Sequence, residues 1–144
     1  MQLPESLQHY SKPTLIVVAD SVHANFWLAG GDSLQELDGV ALPRERASDD
    51  EGGFANTNNG SSGGAEPKIE EERLHHFIHL MQEQLEDLIR KHTAESVQLA
   101  MNAELAHAIV HHLPGDLQNK IGKQIHQDLV KDDILDVLER LRAA

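Results

Sequence analysis

Thr14-Leu15-Ile16-Val17-Val18-Ala19, then Asp20-Ser21, then Val22-His23-Ala24-Asn25-Phe26-Trp27-Leu28, is the stretch whose reading decides the fold. Its first part is a continuous apolar run rich in β-branched residues, which predicts a central strand covered on both faces. Asp20-Ser21 is a turn-forming pair. Beyond it Val22, Ala24, Phe26 and Leu28 alternate with His23, Asn25 and Trp27, the period of a strand with one face inward. The two strands read as a hairpin. Gly30-Gly31-Asp32 makes the next turn, and residues 34–42 give a third strand that Pro43 should terminate. An antiparallel meander therefore opens the chain.

Residues 44–66 then change character, with Gly52-Gly53, Asn56 to Gly60 and Gly63-Gly64 among Asp and Ser. Such a segment buries too little apolar surface to offset the entropy of ordering it. It reads as a long mobile Gly-, Asn- and Ser-rich loop, either functional or merely unstructured. Pro67 and Glu70 to Glu72 suit a helix start and Arg90-Lys91-His92 a helix end. Between them Leu74, Phe77, Ile78, Met81, Leu85, Leu88 and Ile89 recur at spacings of three and four, a stripe expected to pack on the sheet. Residues 97–101 read as a short buried strand. Asn102 is placed to cap a helix carrying Leu105, Ala106, Ile109, Val110 and Leu113, which Pro114-Gly115 ends. Residues 117–129 fit both helical and strand spacing and are read as a short helix followed by a strand. Asp132 or Asp133 caps a last helix with Ile134, Leu135, Val137, Leu138 and Leu141.

Right-handed crossovers place the fourth strand beside and parallel to the first. The expected fold is α/β, a mixed five-stranded sheet in the order 3-2-1-4-5 with flanking helices, a ribonuclease-H-like arrangement. Residues 1–144 suffice for one such domain.

Composition bounds the chemistry. With no cysteine, disulfides, thiolate metal sites and cysteine nucleophiles are excluded. No signal peptide or membrane span is read, so a cytoplasmic protein with no membrane partner is expected. The 24 Asp and Glu against 12 Lys and Arg give a formal charge of -12, which opposes non-specific binding to polyanions. The best phosphate contacts are Arg44 and Arg46, although Asp49, Asp50 and Glu51 follow closely. Most of the ten histidines are expected to decorate the surface.

His75 and His79 lie one helical turn apart, but the run His75-His76-Phe77-Ile78-His79 lacks the glutamate of a His-Glu-x-x-His zinc site. Neither a metal nor a cofactor is expected. Asp20, Glu70 to Glu72 and Asp132-Asp133 offer the carboxylates of a two-metal nuclease. Turn and helix-start roles account for the first two groups, and position 102 is neutral Asn102. Trp27, opposite Phe26, is expected to pack beneath a helix rather than stack on a base. No P-loop, dinucleotide fingerprint or nucleophile-elbow motif occurs, and no catalytic residue is assigned.

Several short pieces, in order, carry a resemblance: Val17-Val18-Ala19-Asp20, Phe26-Trp27, Gly53-Phe54, Glu72-Arg73, Leu99-Ala100, His112-Leu113-Pro114 and Gln127-Asp128-Leu129. Together they resemble the bacterial host attachment protein family, said to be required for attachment to host cells and related to the central domain of archaeal and eukaryotic peptide release factors. In those factors the loop before the long helix carries a Gly-Gly-Gln tip that helps water cleave peptidyl-tRNA. The matching residues here are Gly63-Gly64-Ala65, and alanine has no side-chain amide. The leading expectation is a non-enzymatic binding domain that resembles the release-factor central domain and associates with ribosomes or RNA, with Arg44, Arg46, Gly53, Phe54, Gly63 and Gly64 as candidate contacts. The alternative is a protein-interaction factor linked to attachment or stress, and a metal-dependent nuclease or hydrolase ranks third.

Overall fold

The computed structural model describes residues 1–42 and 66–144. Its strands are β1 (Tyr10–Ala19), β2 (His23–Gly31), β3 (Ser33–Ala41), β4 (Ser96–Ala100) and β5 (Ile121–Ile125). Its helices are α1 (Glu66–His92), α2 (Ala103–His112), the short α3 (Gly115–Gln118) and α4 (Ile134–Ala143), preceded by a 3-10 turn at Glu5–Leu7. The strands form one sheet in the order β3-β2-β1-β4-β5, as the sequence predicts. β1 pairs antiparallel with β2, Val17 opposite Phe26, and parallel with β4, Val17 beside Leu99.

The central strand is covered on both faces because its apolar run has no polar alternation. Leu15, Val17 and Ala19 join Phe26, Phe77, Met81, Leu85, Leu99 and Ile109 on the face carrying α1 and α2. Ile16 and Val18 join Leu3, Leu7, Leu129, Leu138 and Leu141 on the opposite face, under α4 and the N-terminal turn. Trp27 packs half-buried against this second layer, the place its alternation with Phe26 implies.

Local signals set the ends of the elements. Asn102 and Asp133 cap α2 and α4 by accepting the Leu105 and Leu135 N–H groups at 2.8 and 3.0 Å. The side-chain amide of Gln118 donates to the carbonyls of Val110 and Leu113, tying α3 to the end of α2. α1 closes with Thr93 in the left-handed region (φ 52°), while the Ala94 N–H reaches back to the Ile89 carbonyl at 3.0 Å.

Three expectations shift. β5 stops at Ile125, because Leu129 leaves the sheet to fill the layer beneath α4. Val22 does not face inward but is 38% exposed, since the Asp20 carboxylate takes its N–H into the turn and β2 starts only at His23. Leu74, assigned to the stripe packed on the sheet, is 37% exposed, the buried run of α1 beginning one turn later at Phe77.

Candidate functional site

β1 and β4 are neighbouring parallel strands from which the chain departs in opposite directions, towards β2 and towards β5. In open α/β sheets a crevice forms at the carboxyl ends of strands that part in this way. Here it is lined by Ser21 after β1, Asn102 after β4, Leu105 and Ala108 of α2, and Leu74 and Ile78 of α1, with His75 and Glu104 at its edges. Its volume is about 370 Å³. A second hollow of about 390 Å³ shares Ser21 and Leu74 and reaches Val22, Leu42 and Arg73. A third, about 340 Å³, shares His75, Ile78 and Ala108 and ends at His79, Gln82 and His112. The three make one groove between α1 and α2 that continues over the β1–β2 turn.

The walls are fixed by backbone hydrogen bonding. The Asp20 carboxylate accepts the N–H groups of Val22 and His23 at 2.8 and 2.7 Å, with the His23 ring 3.8 Å away. The Leu42 N–H donates to the Val22 carbonyl at 3.0 Å, holding the end of β3 against the groove. Asn102 is occupied as the α2 cap. The two polar residues that follow the sheet's central parallel strands are thus committed to the backbone.

Ser21, His75 and Glu104 line one crevice, but no hydrogen bond joins them. An activated nucleophile requires its base within hydrogen-bonding reach and that base oriented by a third group. His79 turns to Glu83 at 3.1 Å, and the Nδ1 of His112 meets the Ala108 carbonyl at 2.7 Å. Among the described residues no group of three or more His, Asp or Glu is arranged to hold a metal ion. What the groove offers is apolar area with a few polar atoms at its edges.

Among the described residues two groups have shifted pKa values, and both lie on the opposite face. Partial burial, helped by the charges of Arg142 and Lys123, holds His9 below the usual imidazole value, and burial pushes the Tyr10 hydroxyl up. The two rings stack at 4.5 Å. Tyr10 belongs to the core, and Trp27 is half-buried against the same layer.

The residues selected from the sequence, Arg44, Arg46, Gly53, Phe54, Gly63 and Gly64, lie outside the described residues. The groove itself went unassigned. Its signal was present in the strand order, which places Asp20-Ser21 and Asn102 side by side at the ends of diverging strands.

A family described as protein required for attachment to host cells matches residues 15–141. The chain belongs to this host attachment family. No curated protein matches it. Among solved structures it is similar to an archaeal protein, at 14% identity and a TM-score of 0.50, over 89% of this chain and 36% of that one. It is also similar to an archaeal translation termination factor, aRF1, at 16% identity and a TM-score of 0.50, over 89% of this chain and 37% of the factor. This host attachment family member therefore spans little more than a third of either neighbour, and at these identities the likeness is one of fold.

Proposed function

We propose that this chain is a non-enzymatic binding domain of the release-factor central-domain type that acts at the ribosome or its RNA. The observation that carries the reading is the sheet and helix arrangement shared with a translation termination factor over 89% of the chain. Residues 43–65 lie between β3 and α1, where release factors carry their catalytic tip. Gly63-Gly64-Ala65 lacks the glutamine amide of the release-factor tip, which supports contact without peptide release. Arg44 and Arg46 are the phosphate contacts, with Gly53, Phe54, Gly63 and Gly64 in the same contact segment. In a chain of charge -12, two local cations make an association that is weak and salt-sensitive. The test is the distribution of the cellular pool on a sucrose gradient. Co-migration with ribosomal particles is expected, and a pool confined to the top fractions at low salt contradicts the reading.

A second reading, a protein-interaction factor linked to attachment or stress, draws on the groove. Val22 and Leu74 are two of the three large apolar side chains most exposed among the described residues, and both line it. A metal-dependent nuclease gains no such support, since the Asp20 carboxylate is held by two backbone N–H groups and position 102 is a neutral cap.

A further inference from the structure

We propose that the groove between α1 and α2 docks a short amphipathic, cationic segment of a protein partner. The inference rests on the protein-partner reading and is independent of ribosome association. Its floor is apolar, with Leu74, Ile78, Leu105 and Ala108 at the centre and Val22 and Leu42 at one end. Val22 and Leu74 occupy positions that sequence periodicity assigns to the core, yet the fold leaves both open to solvent at 38% and 37%. Exposed apolar side chains gathered in one concavity mark an interaction site more than scattered ones do.

Charge selects the occupant. Glu104 lines the crevice, Asp20 precedes Ser21, and Glu71 stands three and four positions before Leu74 and His75, on the same side of α1. Glu72 is exposed beside it, and Glu83 reaches the far end through His79. Among the described residues, the basic side chains along the groove are Arg73, already engaged in an interaction of its own, and the imidazoles of His75, His79 and His112. Acidic groups beside an apolar floor in a chain of charge -12 complement Lys and Arg flanking apolar anchors and repel a polyphosphate.

Length limits the segment. From Leu74 to Gln82 the α1 axis rises roughly 12 Å at 1.5 Å per residue, room for about two helical turns of a ligand. The fitting segment thus presents apolar residues at i, i+4 and i+7, with basic residues on its outer face.

The test is fluorescence anisotropy on the full chain, with a labelled helical peptide of about 14 residues carrying Leu at i, i+4 and i+7 among Lys and Ala. One control peptide replaces the three leucines by Ser at equal charge, and another replaces Lys by Glu. Leu74→Ser should weaken binding about tenfold, the scale of one exposed apolar side chain entering an interface. Glu104→Gln should weaken it about twofold to threefold, as for a rim charge. Leu74 and Glu104 are exposed, so circular dichroism should show both variants folded. The proposal is overturned if the Leu peptide fails to bind at millimolar concentration, if the Ser peptide binds equally well, or if the Glu peptide is preferred. It is also overturned if Leu74→Ser changes nothing, or if single-stranded RNA binds with an affinity that depends on Leu74. Ribosome co-migration is scored separately, so each reading fails on its own measurement.

Discussion

Replacing Asn102 distinguishes a structural cap from a polar group held ready for chemistry. In Asn102→Ala the Leu105 N–H loses an acceptor now 2.8 Å away, at a partly buried helix start where water replaces it incompletely. Loss of such a cap costs about 1 kcal/mol, and partial burial raises this towards about 2 kcal/mol. For a chain of 144 residues this lowers Tm by roughly 3–6 °C. Asn102→Asp keeps the acceptor and adds a charge that the helix dipole favours, while Glu104 in the same turn opposes it. The net change should stay within about 0.5 kcal/mol. Urea and thermal denaturation followed by circular dichroism measure both variants. Asn102→Ala as stable as wild type, or Asn102→Asp as damaging as Asn102→Ala, would refute the cap assignment. Asn102→Asp also supplies the carboxylate that a two-metal site would want there, and it should gain no magnesium- or manganese-dependent RNA cleavage.

Gly39→Ala should cost about 1–3 kcal/mol, because its Cβ would sit 2.5 Å from the Ala24 carbonyl oxygen, where β2 and β3 shift register; unchanged urea unfolding would contradict this. Thr93→Gly should stabilise the chain by up to about 1 kcal/mol, since a β-branched residue holds the left-handed position that ends α1, and a lower Tm would contradict it. His9 should titrate by NMR with a midpoint below the ordinary 6.5, and a midpoint at or above that value would be inconsistent with its surroundings. The sign follows from proton counts. Between the two pKa values the unfolded chain binds more protons, so the stability contributed by neutral His9 is complete above 6.5 and falls as pH drops through that interval. His9→Gln should flatten that part of the pH–stability curve.

The sheet was legible because its central strand has no polar alternation and its neighbours do, so coverage and pairing followed from side-chain period alone. Asn102 and Asp133 declared two helix starts. Residues 117–129, where two periods overlap, resolved in favour of a short helix and strand because Gln118 ties the helix to α2 and Leu129 is drawn beneath α4. The groove was harder to see. Val22 and Leu74 satisfy the periodicities of their elements, and periodicity counts apolar residues without knowing where a turn or helix end releases them to solvent. In Val22 the Asp20 turn does this; at Leu74 the packed stripe of α1 has not yet begun. The candidate contacts Arg44, Arg46, Gly53, Phe54, Gly63 and Gly64 were chosen by composition and family resemblance, and they lie outside the described residues.

The proposed association with the ribosome through Arg44 and Arg46 is tested most directly by co-sedimentation of purified chain with purified ribosomes across rising salt. The wild type is compared with an Arg44→Ala, Arg46→Ala double variant. Binding at low salt that declines as salt rises, with a shallower decline and lower affinity in the double variant, is the predicted result. Binding undiminished by either salt or the double substitution, or none at the lowest salt, would contradict the account.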